Sequence, residues 1–144
     1  PQARLWLPGA REPGREAYIA ELEALAAQLG VADAVLFTAP TVAIATAYAA
    51  SDLVLQLSRK PEAFGRTVVE ALAVGRPVLG WAHGGVGELL QALQPAGAVP
   101  PFDSDALAAA AARLLREPPA PVAVPFPLQA MQPATLDLYA ELAG

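Results

Sequence analysis

The sequence predicts an α/β fold, a parallel sheet covered by helices on both faces, and three observations carry that prediction. Short apolar runs alternate with longer helical segments five times along the chain. The connections between them are short, as they are in sheets built from strand–helix–strand units. Glycine or proline stops several of the segments, as Pro8-Gly9, Gly30, Gly75 and Pro77 do.

Composition agrees. The chain has 144 residues, 55% of them hydrophobic and 16% charged, enough for one ordered domain with a real core. No apolar run approaches the roughly 18 to 20 residues of a membrane span. The net charge of −5 and the scattered basic residues argue against a nucleic-acid footprint. There is no cysteine, so disulfides and thiolate metal sites are excluded, and the single His83 leaves no material for a histidine-rich metal site. Pro1-Gln2-Ala3-Arg4 has neither an initiator Met nor the charged-then-apolar layout of a signal peptide. A piece of a longer, cytoplasmic protein is the expectation.

The elements follow in order. Arg4-Leu5-Trp6-Leu7 reads as a strand. A helix is expected from about Arg15 to Leu29, with Tyr18, Leu22, Leu25 and Leu29 on one apolar face and Gly30 as its left-handed stop. Ala34–Phe37 is the next strand, Val42–Ala50 a short helix, and Leu53–Leu57 the strongest strand pattern. Gly65–Val74 reads as a helix capped by Gly75. Val78–Trp81 returns as a strand, Gly84-Gly85 as a loop, Val86–Leu93 as a helix, and Gly97–Pro100 as a weak strand. Asp103 opens an alanine-rich helix ending near Glu117. The Pro-rich stretch 118–127 should run extended over the surface. A last helix, about Leu128–Leu142, offers Met131, Leu138 and Tyr139 for packing on this domain or on a missing partner domain.

In parallel sheets ligands bind beyond the carboxyl ends of the strands, in the loops leading into helices. The loop after Leu57, Ser58-Arg59-Lys60-Pro61-Glu62-Ala63-Phe64-Gly65, stands there. Gly65 at the helix start leaves the N–H groups of Gly65, Arg66 and Thr67 free for an anion, reinforced by the helix dipole. Lacking a side chain, it lets a diphosphate approach the backbone, and Thr67 adds a hydroxyl. Glu70, one turn deeper on the Thr67 face, suits a pair of neighbouring hydroxyls such as those of a ribose. Glu62, before the helix, can accept from hydroxyls beyond the phosphates. Acidic residues are common near helix starts for purely structural reasons, so spacing alone leaves both readings open.

The run Pro61-Glu62-Ala63-Phe64-Gly65 through Glu70-Ala71-Leu72-Ala73-Val74-Gly75-Arg76-Pro77-Val78 resembles the Glu-x7-Glu signature of family 4 glycosyltransferases with the GT-B fold. The resemblance continues in Gly84-Gly85-Val86-Gly87-Glu88-Leu89-Leu90, in Ala49-Ala50-Ser51-Asp52-Leu53, and in Phe126-Pro127-Leu128-Gln129 with Leu136-Asp137-Leu138-Tyr139. It implies a Rossmann-like C-terminal half of a GT-B architecture, with residues 1–117 as the nucleotide-sugar-binding domain, lacking its first strand–helix unit, and 118–144 as crossover and closing helix. It implies that Glu62 contacts the donor sugar and carries the catalytic role, that Ala63, Phe64, Gly65, Arg66 and Thr67 meet the sugar and diphosphate, and that Glu70 holds the ribose. It further implies retention of anomeric configuration without an essential metal, no cofactor beyond the nucleotide diphosphate sugar donor, and an acceptor (glycan, lipid or small molecule) bound mainly by a missing N-terminal domain. Association of the whole protein with the inner face of a membrane stays open.

The chain departs from the family pattern in two places. No Arg and Lys pair of the first strand–helix unit precedes Arg15, and Thr38-Ala39-Pro40 replaces the usual glycine after the Phe37 strand. The chain alone is therefore expected to be inactive and to bind donor weakly. A nucleotide-sugar epimerase of the same fold and a non-catalytic nucleotide-binding or interaction domain remain as alternatives.

Other features read as structural. Asp103-Ser104-Asp105 resembles a metal-binding Asp-x-Asp, but its place before a helix makes it a cap. Gly84-Gly85-x-Gly87 is not the dinucleotide fingerprint. His83, Glu88, Arg59 and Lys60 are assigned structure or solvent ahead of ligand, and Trp6 and Trp81 packing ahead of base stacking.

Overall fold

The computed structural model describes residues 3–125 and 128–143. Pro1-Gln2 of the N-terminal segment and Phe126-Pro127 of the tail lie outside the described residues. The chain divides into two compact units, Pro1–Ile44 and Ala45–Gly144.

In the first unit, β1 (Leu5–Pro8) and β2 (Val35–Thr38) pair in parallel, Leu5 beside Val35 and Pro8 beside Thr38. Helix α1 (Glu16–Gln28) makes the crossover between them. Gly30 takes φ 69° just after α1, as a left-handed stop should. The inward face of α1 differs from the expected one: Ile19 and Ala26 are buried, whereas Tyr18, Leu25 and Leu29 are exposed and Leu22 is intermediate. Positions 19 and 26 are seven apart, two helical turns, so the apolar residues of α1 form a band too wide for spacing alone to say which stripe turns inward. Arg11 reaches the α1 side chain Glu23 at 2.5 Å and donates from Nε to the Phe37 carbonyl at 3.2 Å.

In the second unit β3 (Val54–Gln56), β4 (Val78–Trp81) and β5 (Ala98–Val99) form one parallel sheet in the order β3-β4-β5. Short helix α2 (Ile44–Ala49) precedes β3, α3 (Arg66–Ala73) follows it, α4 (Gly84–Leu93) joins β4 to β5, and α5 (Ser104–Arg116) follows β5. Alternation along β4 sorts the core. Val78 joins Val68, Ala71 and Leu72 of α3 and Val86, Leu89 and Leu90 of α4, while Leu79 and Trp81 join Val99, Ala110 and Leu114 on the α5 side. Helices therefore cover both faces, as expected. Trp81 packs, at 7% exposure. Trp6, in the first unit, does not: it is more than a third exposed, and its indole donates to Thr38 Oγ1 at 2.9 Å.

Polar details tie the second unit together. Gln94 is buried, and its amide donates to the Val78 carbonyl at 2.8 Å and accepts from the Val78 N–H at 3.0 Å, standing in for a strand neighbour at the start of β4. Asp103 accepts from the Ala106 N–H at 2.8 Å and caps α5, the role assigned to it. Val122 and Val124 of the extended tail pack against the α3–α4 core. Helix α6 (Leu128–Ala143) forms, and Met131, Leu138 and Tyr139 are each more than half exposed, so of the two placements expected for them they do not take the one on this domain. The amphipathic pattern identified the helix and not a partner for it. Among the described residues, no helix is long and apolar enough to cross a membrane.

Candidate functional site

The loop between β3 and α3 lies at the carboxyl end of β3, where the fold places ligands. Its shape is set by α4 packing beneath it. Gly84 and Gly85 are the first turn of α4 and not a loop, a correction with a steric cause. A Cβ on Gly85 would lie 2.6 Å from the Phe64 carbonyl oxygen and 2.7 Å from that of Ala63. Only glycine lets the helix start approach the loop backbone so closely, and the Gly85 N–H then donates to the Glu62 carbonyl at 2.8 Å. The loop is thus held from below through its main chain.

Gly65 is buried and takes φ 91°, ψ 56°, the left-handed region that favours glycine, and it stands as N-cap of α3. A Cβ there would come within 3.0 Å of Val86 Cγ2. No side chain caps α3, so the amides of its first turn keep the capacity to bind an anion.

The two glutamates sit on separate supports. Glu62, part-buried, accepts through Oε1 from the Gln56 amide and from Ser58 Oγ, the latter at 2.6 Å. Glu70, also part-buried, accepts through Oε1 from Arg66 Nη2 at 2.8 Å and Nε at 3.2 Å, and through Oε2 from the Tyr48 hydroxyl at 3.2 Å. An ionised carboxylate offers about four lone-pair sites, so each retains capacity toward a ligand. The two carboxylates share no hydrogen-bond partner: Gln56 and Ser58 serve Glu62, Arg66 and Tyr48 serve Glu70. Burial pushes the Tyr48 phenol up, the charge of Glu70 pushes it further, and Thr67 and Arg66 oppose the shift. Tyr48 therefore remains a protonated donor to Glu70 at neutral pH.

Of the other residues named from the sequence, Ala63 and Phe64 are exposed on the loop, Thr67 is half-buried at the α3 start beside Tyr48, and Arg59 and Lys60 are exposed. His83 is the N-cap residue of α4 and meets the Ser58 carbonyl through Nε2 at 3.1 Å. Glu88 is exposed on α4, and no side chain caps that helix. Sequence reasoning missed Tyr48, Gln56 and Ser58. Gln56 carried a signal: it is the one polar residue in an apolar strand and stands at that strand's carboxyl end.

Residues 1–124 match the family described as "Glycosyl transferases group 1". Among solved structures, HepE from Anabaena in complex with UDP is 32% identical with a TM-score of 0.72, over 81% of this chain and 32% of that one. HepE with UDP and glucose gives a TM-score of 0.73. Sucrose-phosphate synthase from Thermosynechococcus elongatus is 31% identical with a TM-score of 0.65, over 80% of this chain and 30% of that one. WaaG, a glycosyltransferase involved in lipopolysaccharide biosynthesis, is 28% identical with a TM-score of 0.63, over 79% and 29%. The chain thus spans about a third of the length of these proteins. No curated protein matches it.

Proposed function

We propose that this chain, which belongs to the glycosyl transferases group 1 family, is the donor-binding half of a retaining, metal-independent family 4 glycosyltransferase acting in the cytoplasm. The family makes it a sugar-transferase domain of Rossmann-like, GT-B type. The observation that carries the finer reading is the pair of part-buried glutamates, each on its own hydrogen-bond support, flanking the uncapped start of α3. HepE structures hold UDP and UDP-glucose, which supports a nucleotide-sugar donor here.

In this reading Glu62 accepts from hydroxyls of the donor sugar, the amides of Gly65, Arg66 and Thr67 meet the diphosphate, and Glu70 accepts from the ribose. Ala63 and Phe64 line the sugar side. The bond from the anomeric carbon to the diphosphate oxygen breaks and its electron pair leaves with the diphosphate, while an acceptor hydroxyl bonds to that carbon from the same face and passes its proton to the departing diphosphate oxygen. Fixed dipoles at the start of α3 stabilise charge on the departing group. The acceptor, a glycan, lipid or small molecule, is held by an N-terminal domain, residues 1–117 form the donor domain, and 118–144 the crossover and closing helix.

The test is turnover of the intact enzyme carrying Glu62→Ala or Glu70→Ala. Each is expected to reduce kcat/KM by at least about tenfold, about 1.4 kcal/mol of lost transition-state stabilisation. Near-normal rates for both would contradict the assignment.

A further inference from the structure

Beyond β4 and β5, His83 and Phe102 meet in a connected group that the reaction as described does not use. Pro100–Asp103 is a turn closed by a hydrogen bond from the Asp103 N–H to the Pro100 carbonyl at 3.3 Å. Pro101 occupies its second position and Phe102 its third, with φ 66°. That third position, with positive φ behind a proline, is where glycine ordinarily stands. Among the described residues Phe102 is the one non-glycine residue with positive φ, and a bulky side chain there is a backbone outlier.

Burial does not account for it. Phe102 is 57% exposed. What holds it is a pair of ring contacts, tilted against Trp81 at 5.8 Å between centroids and edge-on to His83 at 5.9 Å. His83 in turn meets the Ser58 carbonyl at 3.1 Å, and Ser58 donates to Glu62 at 2.6 Å. An exposed aromatic face is therefore fixed, at a conformational cost, beyond the carboxyl ends of β4 and β5, and it is connected through two residues to the glutamate assigned to the donor sugar. Strain kept without burial points to function.

We propose that Phe102 is a substrate-contacting residue whose ring packs against the apolar face of the donor's sugar, with His83 setting its orientation. This rests on the donor-site reading above. The ring supplies a flat apolar surface for C–H groups while Glu62 takes the hydroxyls, a division of labour common in sites that read amphipathic ligands.

Phe102→Gly in the intact enzyme tests it, with Phe102→Tyr as the ring-retaining variant. The probes are UDP-, GDP- and ADP-glucose, of which the one turned over by the wild type is used, and the matching nucleoside diphosphate. For Phe102→Gly, KM for the nucleotide sugar should rise about fivefold, the scale of one aromatic contact. The Kd for the nucleoside diphosphate should stay within about twofold, and the thermal midpoint should not fall, because glycine fits the turn without strain. Phe102→Tyr should keep the wild-type KM. An unchanged KM in Phe102→Gly, equal weakening of nucleotide sugar and nucleoside diphosphate, or a marked drop in thermal midpoint would each overturn the inference. If the wild type binds nucleoside diphosphates and turns over donor, such a result leaves the donor-site reading standing. If the wild type binds none of these probes, that reading fails and this inference with it.

Discussion

Tyr48 shows how a single side chain connects stability to the candidate site. Its hydroxyl donates to Glu70, and its phenol is shifted upward mainly by burial. Because the folded-state value lies above the unfolded-state value of about 10, the folded chain keeps this proton where the unfolded chain releases it. The resulting stability is complete below about pH 10 and is lost as pH climbs through the folded-state value. Tyr48→Phe should flatten the decline of the urea midpoint above pH 10 and, at neutral pH, weaken nucleotide binding severalfold by freeing the Glu70 carboxylate. An identical high-pH decline in the variant would contradict this. Arg66 contributes differently. It is largely exposed and pairs with Glu70 one turn along α3, a contact of about 0.3–0.5 kcal/mol that orients the carboxylate more than it stabilises the fold. Glu62 depends in the same way on Gln56 and Ser58.

At the scale of elements, the decisive contact is the start of α4 against the loop before α3. Val68, Val78 and Leu90 behind it are fully buried, each worth roughly 1.5–3 kcal/mol of apolar burial, so the platform beneath the loop is firm. Gly85→Ala would press a methyl group into the Phe64 and Ala63 carbonyl oxygens, and backbone cannot retreat as a flexible side chain would. The expected result is a destabilisation of about 1–3 kcal/mol, typical of overpacking, read as a lower thermal midpoint together with weaker nucleotide binding. A normal midpoint would show that the loop tolerates displacement and that the clamp is not rigid. The sequence places Gly84-Gly85 in a loop because two adjacent glycines weaken a helix. Tertiary proximity overrides that propensity, since only glycine permits the approach.

Across the whole molecule, the parts of the fold legible from sequence are those governed by local pattern. Strand–helix alternation, the stops at Gly30 and Gly75, and the Asp103 cap follow from periodicity and backbone preference. The inward stripe of α1 and the placement of α6 depend on what each helix packs against, which periodicity does not specify. The same division holds for the site. Glu62, Gly65 and Glu70 are legible from the helix start and the resemblance, whereas Tyr48, Gln56 and Ser58 are brought to the carboxylates only by the fold. Phe102 escapes notice because Pro-Pro-Phe-Asp looks like any turn until its φ is known. The central claim is a nucleotide-sugar donor site, and calorimetric titration of the intact protein with UDP, GDP and ADP tests it most directly. Saturable binding of at least one of them, weakened at least about tenfold (about 1.4 kcal/mol) by Glu70→Ala, is the predicted result. No saturable binding of any, or binding indifferent to Glu70→Ala, would contradict it.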